Sequence, residues 1–263
     1  MTETNGRDSR AASGLRVAAR TDRGLWRPSN QDSFFADPSP AGKEESHGRL
    51  FLVADGMGGH AAGEVASRLA VESFGRAYYE ADVTARGDPA PVLAAALSAA
   101  NRVIHEEGAR DHRRSGMGTT CTAALIRGDR LWLAHVGDSR AYLFHAGALR
   151  QLTQDHNLAG MLLSEGRIDA REAAGHEGRH LLTRALGIRP EVEGDVAGPF
   201  ELAPGDRVLL CSDGLNRVVP DDQLAGLLAN EPLQAAVDEL IGRSITAGGP
   251  DNITVVLVEV ARG

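Results

Sequence analysis

The stretch that most constrains the fold runs from Gly118 to Leu152, GTTCTAALIRGDRLWLAHVGDSRAYLFHAGALRQL. Short runs of apolar, aromatic and β-branched residues alternate in it with the turn sequences RGDR, VGDS and HAGA. Strands joined by such short turns pair with their neighbours in antiparallel order. The stretch therefore predicts an antiparallel meander.

Three long segments with apolar residues at helical spacing flank these strands. They run from Ala62 to Tyr79, from Pro91 to Glu107 and from about Glu231 to Thr246. Two further strand sequences, DRVLLCS and NITVVLVEV, occur later in the chain. Long helices that alternate with blocks of hairpins are typical of an α+β fold rather than of a regular βαβ repeat.

The length of the chain, 263 residues with 42% hydrophobic content, suffices for one large core. We therefore expect a single domain over residues 15–263. Residues 1–14 are polar, contain Gly and Ser and lack periodicity, which predicts a disordered N-terminal tail. Cys121 and Cys211 lie in apolar strand-like runs without CxxC spacing, so we expect buried thiols and neither zinc nor a disulfide.

The net charge of -8 and the isoelectric point near 5.6 argue against binding to nucleic acid or to an anionic membrane surface. Both of those partners need a basic surface that neutralises phosphate. No apolar run reaches the ~18 to 20 residues that a membrane span needs, and the first residues contain no apolar signal-peptide core. These observations predict a cytoplasmic protein that binds neither nucleic acid nor membrane.

Four aspartates stand at the predicted ends of apolar strands: Asp55 after LFLVA, Asp138 after LWLAHVG, Asp213 after RVLLCS, and Asp251 before ITVVLVEV. An aspartate followed by glycine is by itself most often only a turn. Four carboxylates that converge repel one another unless a cation holds them, and oxygen ligands without Cys or His favour Mg²⁺ or Mn²⁺. The pattern therefore favours a metal centre in which Asp55 is a ligand and Gly56 lets its own carbonyl reach the same ion.

Eight motifs occur in order along the chain: TDRGLWRPSNQDSF, VADGMGGHAAGE, GTTCTAAL, HVGDSRAYL, LTQDH, LLTRALG, LLCSDGL and GGPDNITVV. Together they resemble the motif set of bacterial metal-dependent serine/threonine protein phosphatases, the PPM or type 2C family. The resemblance covers about Val17 to Val260, nearly the whole chain. It implies a β-sandwich of two antiparallel sheets flanked by α-helices on both faces, with a two-metal centre at one end.

The resemblance also implies a role for each matching site residue. It makes Asp55 the carboxylate that bridges two tightly bound Mn²⁺ or Mg²⁺ ions, and Arg27 the residue that clamps the substrate phosphate with two hydrogen bonds. Asp55 and Arg27 are then the catalytic residues. The further metal ligands that it implies are Gly56 through its carbonyl, Asp213, Asp251, Asp32 through water and, for a third and weaker ion, Asp138.

The reaction implied by the resemblance is hydrolysis of phosphoserine or phosphothreonine in proteins. A water shared by two ions loses its proton at a much lower pH than bulk water, and the resulting hydroxide attacks phosphorus directly. The expected partners are phosphoproteins, substrates of a bacterial serine/threonine kinase, and the expected state is a monomer. The alternatives are a catalytically weak domain of the same fold that binds phosphoproteins or serves as a scaffold, and a hydrolase of small phosphomonoesters.

The proton donor for the leaving group stays open at this point. Many eukaryotic members of the family carry a histidine directly after Asp-Gly, whereas this chain has Met57 there. The candidates are His60 and a metal-bound water. The segment from His156 to His180, called the flap below, corresponds to the variable flap beside the site in the family.

Two other motifs have weaker interpretations. GMGGHA, residues 56–61, fits the dinucleotide fingerprint G-x-G-x-x-[G/A], but the polar sequence YYEADVTARGDPAP offers no strand after the helix. HEGRH, from His176 to His180, fits the zinc-protease pattern H-E-x-x-H, which must lie on a helix. Gly178 costs a helix about 1 kcal/mol relative to alanine, so we expect an exposed, mobile loop there.

Overall fold

The computed structural model of the chain describes residues 14–36, 39–59, 62–83 and 87–261. All of the predicted tail except Gly14 lies outside the described residues, and so does His60. The disorder of the tail, the extent of the domain and the role of His60 therefore stay predictions.

The described residues form eleven strands, which build two antiparallel sheets. In chain order the strands are β1 (Leu15–Asp22), β2 (Asp32–Phe35), β3 (Arg49–Met57), β4 (Gly118–Thr119), β5 (Cys121–Arg127), β6 (Arg130–Val136), β7 (Arg140–His145), β8 (Ala148–Gln151), β9 (Asp195–Glu201), β10 (Arg207–Cys211) and β11 (Ile253–Val260). One sheet has the order β1-β11-β10-β7-β8, and the other has the order β2-β3-β5-β6-β9 with β4 paired to the end of β3. The first and last strands are neighbours, with Asp22 opposite Ile253.

The α-helices account for most of the remaining regular structure. They are α1 (Glu44–His47), α2 (Ala62–Glu80), α3 (Ala90–Arg110), α4 (Leu158–Ser164), α5 (Ala170–Gly175), α6 (Asp213–Asn216), α7 (Asp221–Asn230) and α8 (Leu233–Thr246). The three helices expected from apolar spacing occur as α2, α3 and α8, whereas α7 was not expected. Within the described ranges, no helix has both the length and the apolar character to cross a membrane.

Alternate residues of β3 face the two sides of its sheet, as the two-residue period of a strand requires. Phe51 and Val53 are fully buried in a cluster that also contains Leu210 and Val256 of the other sheet. On the opposite face of β3, Leu52 joins a separate cluster with residues of α2 and α3. The two sheets therefore pack face to face as a sandwich, with helices outside.

Helices cover both outer faces of the sandwich. Phe74 of α2 and Leu97 of α3 pack in the cluster under the β3 sheet. Leu227 of α7 and Leu240 of α8 pack in the cluster under the other sheet, together with Leu257 of β11. This layering confirms the predicted α+β fold, a sandwich of two antiparallel sheets flanked by helices on both faces.

The predicted meander from Gly118 to Leu152 is right in its hairpins but wrong as one continuous sheet. Strand β5 pairs with β6 in one sheet, whereas β7 pairs with β8 in the other. The turn after β6 therefore carries the chain between sheets. Gly137 in this turn has a φ of 113°, and a Cβ there would lie 2.5 Å from Thr120 Cγ2, so the turn requires glycine. The crossover leaves Asp138 at the end of the sandwich.

Both cysteines are free and buried, as predicted. Cys121 lies in the cluster under α2 and α3, and Cys211 lies in the cluster under α7 and α8. Burial raises the pKa of the Cys211 thiol to about 12. Both residues therefore act as small apolar side chains.

Candidate metal centre

A cavity of about 440 Å³ opens at one end of the sandwich. It gathers the four aspartates that the sequence places at strand ends, together with Arg27 from the loop between β1 and β2. Its lining includes Arg27, Asp55, Gly56, Met57, Thr120, Asp138, His180, Asp213, Arg217 and Asp251. The structure thus brings together predicted site residues that are far apart in the sequence, while Asp32 does not line the cavity.

Asp55 is held in place by contacts of its main chain. Its N–H donates to Thr120 Oγ1 at 2.8 Å, and its carbonyl accepts from Thr119 Oγ1 at 2.8 Å. The sequence suggested a strand that breaks at Asp55, but β3 continues to Met57 by pairing with β4. Burial, followed by the charges of neighbouring carboxylates, raises the pKa of Asp55 well above its ordinary value. An ionised Asp55 is therefore costly unless a cation lies beside it.

Gly56 lies where main-chain segments converge. Its N–H donates to the Gln31 carbonyl at 3.1 Å. A Cβ at position 56 would lie 2.1 Å from the Gly63 carbonyl oxygen and 2.6 Å from the Gln31 carbonyl oxygen. Both are backbone atoms, so the close approach admits only glycine. The main chain of Gly56 therefore forms part of the cavity wall beside Asp55.

Asp213 begins α6, and only the N-cap residue Ser212 separates it from the end of β10. Its side chain is 8% exposed, and its Oδ2 lies 2.5 Å from Arg217 Nη2. Its Oδ1 is buried and has no hydrogen-bond partner among the described residues. Burial first, and the Asp138 charge second, raise the pKa of Asp213 to about 8. A buried carboxylate oxygen without a donor is costly, so Oδ1 indicates a position for a cation.

Asp251 lies in the loop before β11 and is paired with the predicted phosphate-binding residue. Arg27 Nη2 lies 2.7 Å from Asp251 Oδ2, and the Arg27 side chain is 52% exposed. An exposed ion pair contributes at most about 1 kcal/mol, so the guanidinium is able to turn towards a ligand. Asn252 ties the two loops together, because its side-chain amide donates to the carbonyls of Arg23 and Ser29 at 2.8 and 3.0 Å.

Asp32 is buried next to the strand that carries Asp55. The two residues are opposite one another in the pairing of β2 with β3. Asp32 Oδ2 accepts hydrogen bonds from Ser212 Oγ and Thr254 Oγ1, both at 2.7 Å, while its Oδ1 is buried without a partner in the described part of the chain. Burial raises the pKa of Asp32 to about 6. Asp32 therefore lies beside Asp55 but outside the lining of the cavity.

The oxygens that could ligate a metal here belong to carboxylates and a carbonyl, which suits a hard divalent cation. Two of the carboxylate oxygens are buried and accept no hydrogen bond within the described part of the chain. Within residues 14–36, 39–59, 62–83 and 87–261, no group of three or more His, Cys, Asp and Glu side chains already stands in position to hold an ion. Asp251 instead pairs with Arg27, and Asp213 pairs with Arg217. Metal binding therefore requires rotation of carboxylates, most readily that of Asp251, whose partner is exposed.

Without metal, the chain should lose stability as the pH rises from 6.5 to 8. Asp213, whose pKa is about 8 in the folded chain against 3.8 ordinarily, keeps a proton that the unfolded chain has released. The folded state therefore binds more protons, and the free energy of unfolding falls with rising pH. His135 and His156, whose pKa values are lowered by burial, oppose this trend only in part, because an unfolded histidine with a pKa of 6.5 loses most of its remaining proton within the first pH unit above 6.5. Thermal unfolding in EDTA measures the effect. Saturating Mn²⁺ should abolish it, and a melting temperature that rises over this range in EDTA would contradict it.

Arg217 was not among the predicted site residues, although it lines the cavity. Its Nη2 lies 3.0 Å from Asp138 Oδ2 and 2.5 Å from Asp213 Oδ2. The available signal was its position four residues after Asp213, which is one turn of a helix. Local sequence does not show that α6 starts at Asp213, so this spacing alone does not predict the contact.

The flap contains regular structure, and most of it lies away from the cavity. Its first residue, His156, is 2% exposed and belongs to the scaffold. His156 Nε2 lies 3.0 Å from Asp195 Oδ2, and its Nδ1 accepts from the Gly137 N–H at 3.2 Å. Helices α4 and α5 follow, and only the last residue, His180, lines the cavity.

The two remaining motifs have structural explanations. HEGRH is a 3₁₀ helix, Glu177–His180, with His176 as its N-cap, and not the α-helix that the zinc-protease pattern requires. The expected exposed loop is therefore wrong in part, because Gly178 is buried and its N–H donates to His176 Nδ1 at 2.9 Å. The GMGGHA segment leads into α2, and the next element in the described chain is α3 rather than a strand. This order does not fit a dinucleotide-binding βαβ unit.

Comparison with known proteins gives one consistent result. The family model described as protein phosphatase 2C matches residues 28–244. The serine/threonine protein phosphatase PstP of Mycobacterium tuberculosis is 43% identical over 246 residues, which are 94% of this chain and 45% of the relative. The serine/threonine phosphatase stp of Listeria welshimeri is 38% identical over 245 residues, which are 91% of this chain and 94% of the relative. The chain thus spans less than half the length of the mycobacterial relative.

A solved structure resembles the chain over nearly its full length. It is the catalytic domain of serine threonine protein phosphatase PstP in complex with two manganese ions, with a TM-score of 0.81 and 41% sequence identity. The match covers 94% of this chain and 99% of that one. The fold of this solved structure and the family of the matching model therefore both agree with the motif order in the sequence.

Proposed function

This chain belongs to the protein phosphatase 2C family, and on that premise we propose that it is a metal-dependent serine/threonine phosphatase that acts on phosphoserine and phosphothreonine in proteins. The observation that carries the proposal is the cavity in which Asp55, Asp213 and Asp251 meet, with Asp213 Oδ1 buried and without a partner in the described chain. The two manganese ions of the related PstP structure support it.

In this proposal the cavity holds two divalent ions, Mn²⁺ or Mg²⁺. Asp55 would bridge them, and the other ligands would be the Gly56 carbonyl, Asp213 through Oδ1, Asp251, and Asp32 through water. When bound, the ions would lower the pKa of a shared water, which supplies the nucleophile for attack on phosphorus. Their charge would also offset the carboxylates, which otherwise repel a phosphate ester.

Arg27 is the proposed phosphate clamp. If Asp251 held an ion, its partner Arg27 would be left with an exposed, charged guanidinium at the cavity. A planar guanidinium donates two parallel hydrogen bonds to phosphate oxygens. Arg27 thereby orients the phosphate without taking part in proton transfer.

The leaving serine or threonine oxygen needs a proton, and position 57 does not supply it. Met57 lines the cavity where a histidine donor would otherwise be expected. A bound water is the proposed donor. His60, which lies outside the described residues, stays a prediction.

The proposed partners are phosphoproteins produced by a bacterial serine/threonine kinase, and the proposed state is a cytoplasmic monomer. The test is phosphate release by the purified chain with Mn²⁺ from three substrates: a phosphothreonine peptide, the matched phosphotyrosine peptide and an aryl phosphate. We expect efficient release from the phosphothreonine peptide and weak release from the phosphotyrosine peptide. Binding of the phosphothreonine peptide without release would instead support a scaffold, and release from the aryl phosphate alone would support a small-molecule hydrolase.

Arg27→Ala should raise KM for the phosphothreonine peptide by about 10- to 100-fold and change kcat little. The clamp contacts the phosphate in the ground state and the transition state alike, so its loss removes uniform binding energy of about 1.5 to 3 kcal/mol. Arg27→Lys should restore only part of the affinity, because an ammonium cannot reproduce the two-pronged contact. Steady-state kinetics measure both variants, with Arg68→Ala on the exposed face of α2 as the control. A fall in kcat at unchanged KM would contradict the assignment.

A further inference from the structure

Arg217 places a fixed positive charge between two of the cavity's carboxylates. Its Nη2 lies 3.0 Å from Asp138 Oδ2 and 2.5 Å from Asp213 Oδ2. The three side chains are 18%, 5% and 8% exposed, in the order Arg217, Asp138, Asp213. Ion pairs that are this well shielded from water are screened far less than surface pairs.

The local fold holds the guanidinium in this place. Arg217 directly follows α6 and stands four residues after Asp213, so the two side chains lie on the same side of the helical turn. Arg217 Nη2 also contacts the carbonyl of Arg179 at 3.2 Å, which connects the end of the flap to the cavity. A rotation of Arg217 towards solvent would therefore break two ion pairs and a hydrogen bond at once.

The two arginines of the cavity differ in how readily they can move away from their carboxylate partners. Arg27 is 52% exposed and pairs with a single carboxylate, so it is able to leave when an ion arrives. Arg217 is 18% exposed and pairs with two. Asp213 nevertheless keeps Oδ1 without a partner in the described chain, so it can ligate an ion while Oδ2 stays on Arg217.

We propose that the guanidinium of Arg217 takes the place of a third divalent ion between Asp138 and Asp213, so that this centre holds two ions and not three. The proposal rests on the two-ion function proposed above. A divalent ion bound by Asp138 and Asp213 would have to occupy the space of the guanidinium or lie against its charge. Asp138 is then an ion-pair partner of Arg217 and not a metal ligand. This role replaces the one expected from the sequence, in which Asp138 binds a third ion.

The test counts Mn²⁺ bound per chain by equilibrium dialysis over rising concentrations of the free ion, well into the millimolar range. The wild-type chain should bind two ions and no more. Arg217→Asp removes the guanidinium and adds a carboxylate, and it should bind one additional, weak ion. The double variant Arg217→Asp with Asp138→Asn should lose that ion again. Arg243→Asp on the exposed surface of α8 makes the same change of charge away from the cavity and should leave the count at two.

Three bound ions in the wild type would overturn the proposal while leaving the phosphatase function intact. No bound ion in the wild type would overturn the proposed function itself, so the two failures are distinguishable. A count of two for Arg217→Asp, in a chain whose circular dichroism matches the wild type, would also overturn the proposal. If Arg217→Asp does not fold, Arg217→Met removes the charge at similar length, and its failure to admit a third ion would count against the proposal in the same way.

Discussion

Asp55→Asn should lower the rate of phosphate release from a phosphothreonine peptide by about 10³-fold or more, while the chain stays folded. The proposed role of Asp55 is to bridge two ions, and asparagine lacks the charge and the second anionic oxygen that this needs. The fold should survive because Asp55 is anchored through its main-chain N–H and carbonyl, which the substitution leaves unchanged.

The same substitution should stabilise the metal-free chain. Burial and the neighbouring carboxylates oppose the charge of Asp55, and asparagine relieves both effects. We therefore expect a higher melting temperature in EDTA together with lost activity, which a merely disruptive change would not produce. Asp129→Asn, in the exposed turn between β5 and β6, is the matched control and should change neither quantity. A wild-type rate for Asp55→Asn would place the reactive centre elsewhere.

Removal of divalent metal should abolish activity without unfolding the chain. Without ions, the cavity presents several carboxylates to a phosphate dianion, with only Arg27 and Arg217 to offset their charge. The proposed means of lowering the pKa of the attacking water is also lost. The fold should persist because Arg217 neutralises part of the charge of Asp138 and Asp213, and protonation of Asp213 removes more of it. Far-ultraviolet circular dichroism should therefore be unchanged by EDTA while phosphate release stops.

The parts of the fold that follow from local pattern were predictable from the sequence. The apolar run LFLVA predicted β3, and Asp55 was placed near its end. The continuation of β3 to Met57 was not predictable, because it depends on pairing with β4, and Thr119 there lies 64 residues from Asp55. Helix α7 was missed because it is short, with an apolar stripe of only three buried leucines between Pro220 and Pro232.

The sequence predicted which aspartates line the cavity, but not the contacts that they make there. The motif order indicated which aspartates converge, and the cavity contains Asp55, Asp138, Asp213 and Asp251 together. The buried position of Asp32 depends on Ser212 and Thr254, which are 180 and 222 residues away in the chain. No local pattern encodes such contacts. Nor does one show that Arg217 reaches Asp138, because the two residues are 79 apart in the chain and Asp138 lies at a crossover between sheets that looks like a hairpin turn in the sequence.

The most direct test of the central claim measures bound Mn²⁺ and phosphate release in the same preparation. The chain is stripped with EDTA, dialysed, and divided into samples with no added metal, with Mn²⁺ and with Ca²⁺ as a divalent control that prefers larger, more flexible coordination. Each sample is assayed with the phosphothreonine peptide. We predict no release from the stripped chain and full recovery with Mn²⁺ as occupancy approaches two ions per chain, with little recovery in Ca²⁺. Full turnover by a chain shown to contain no metal would contradict a metal-dependent phosphatase.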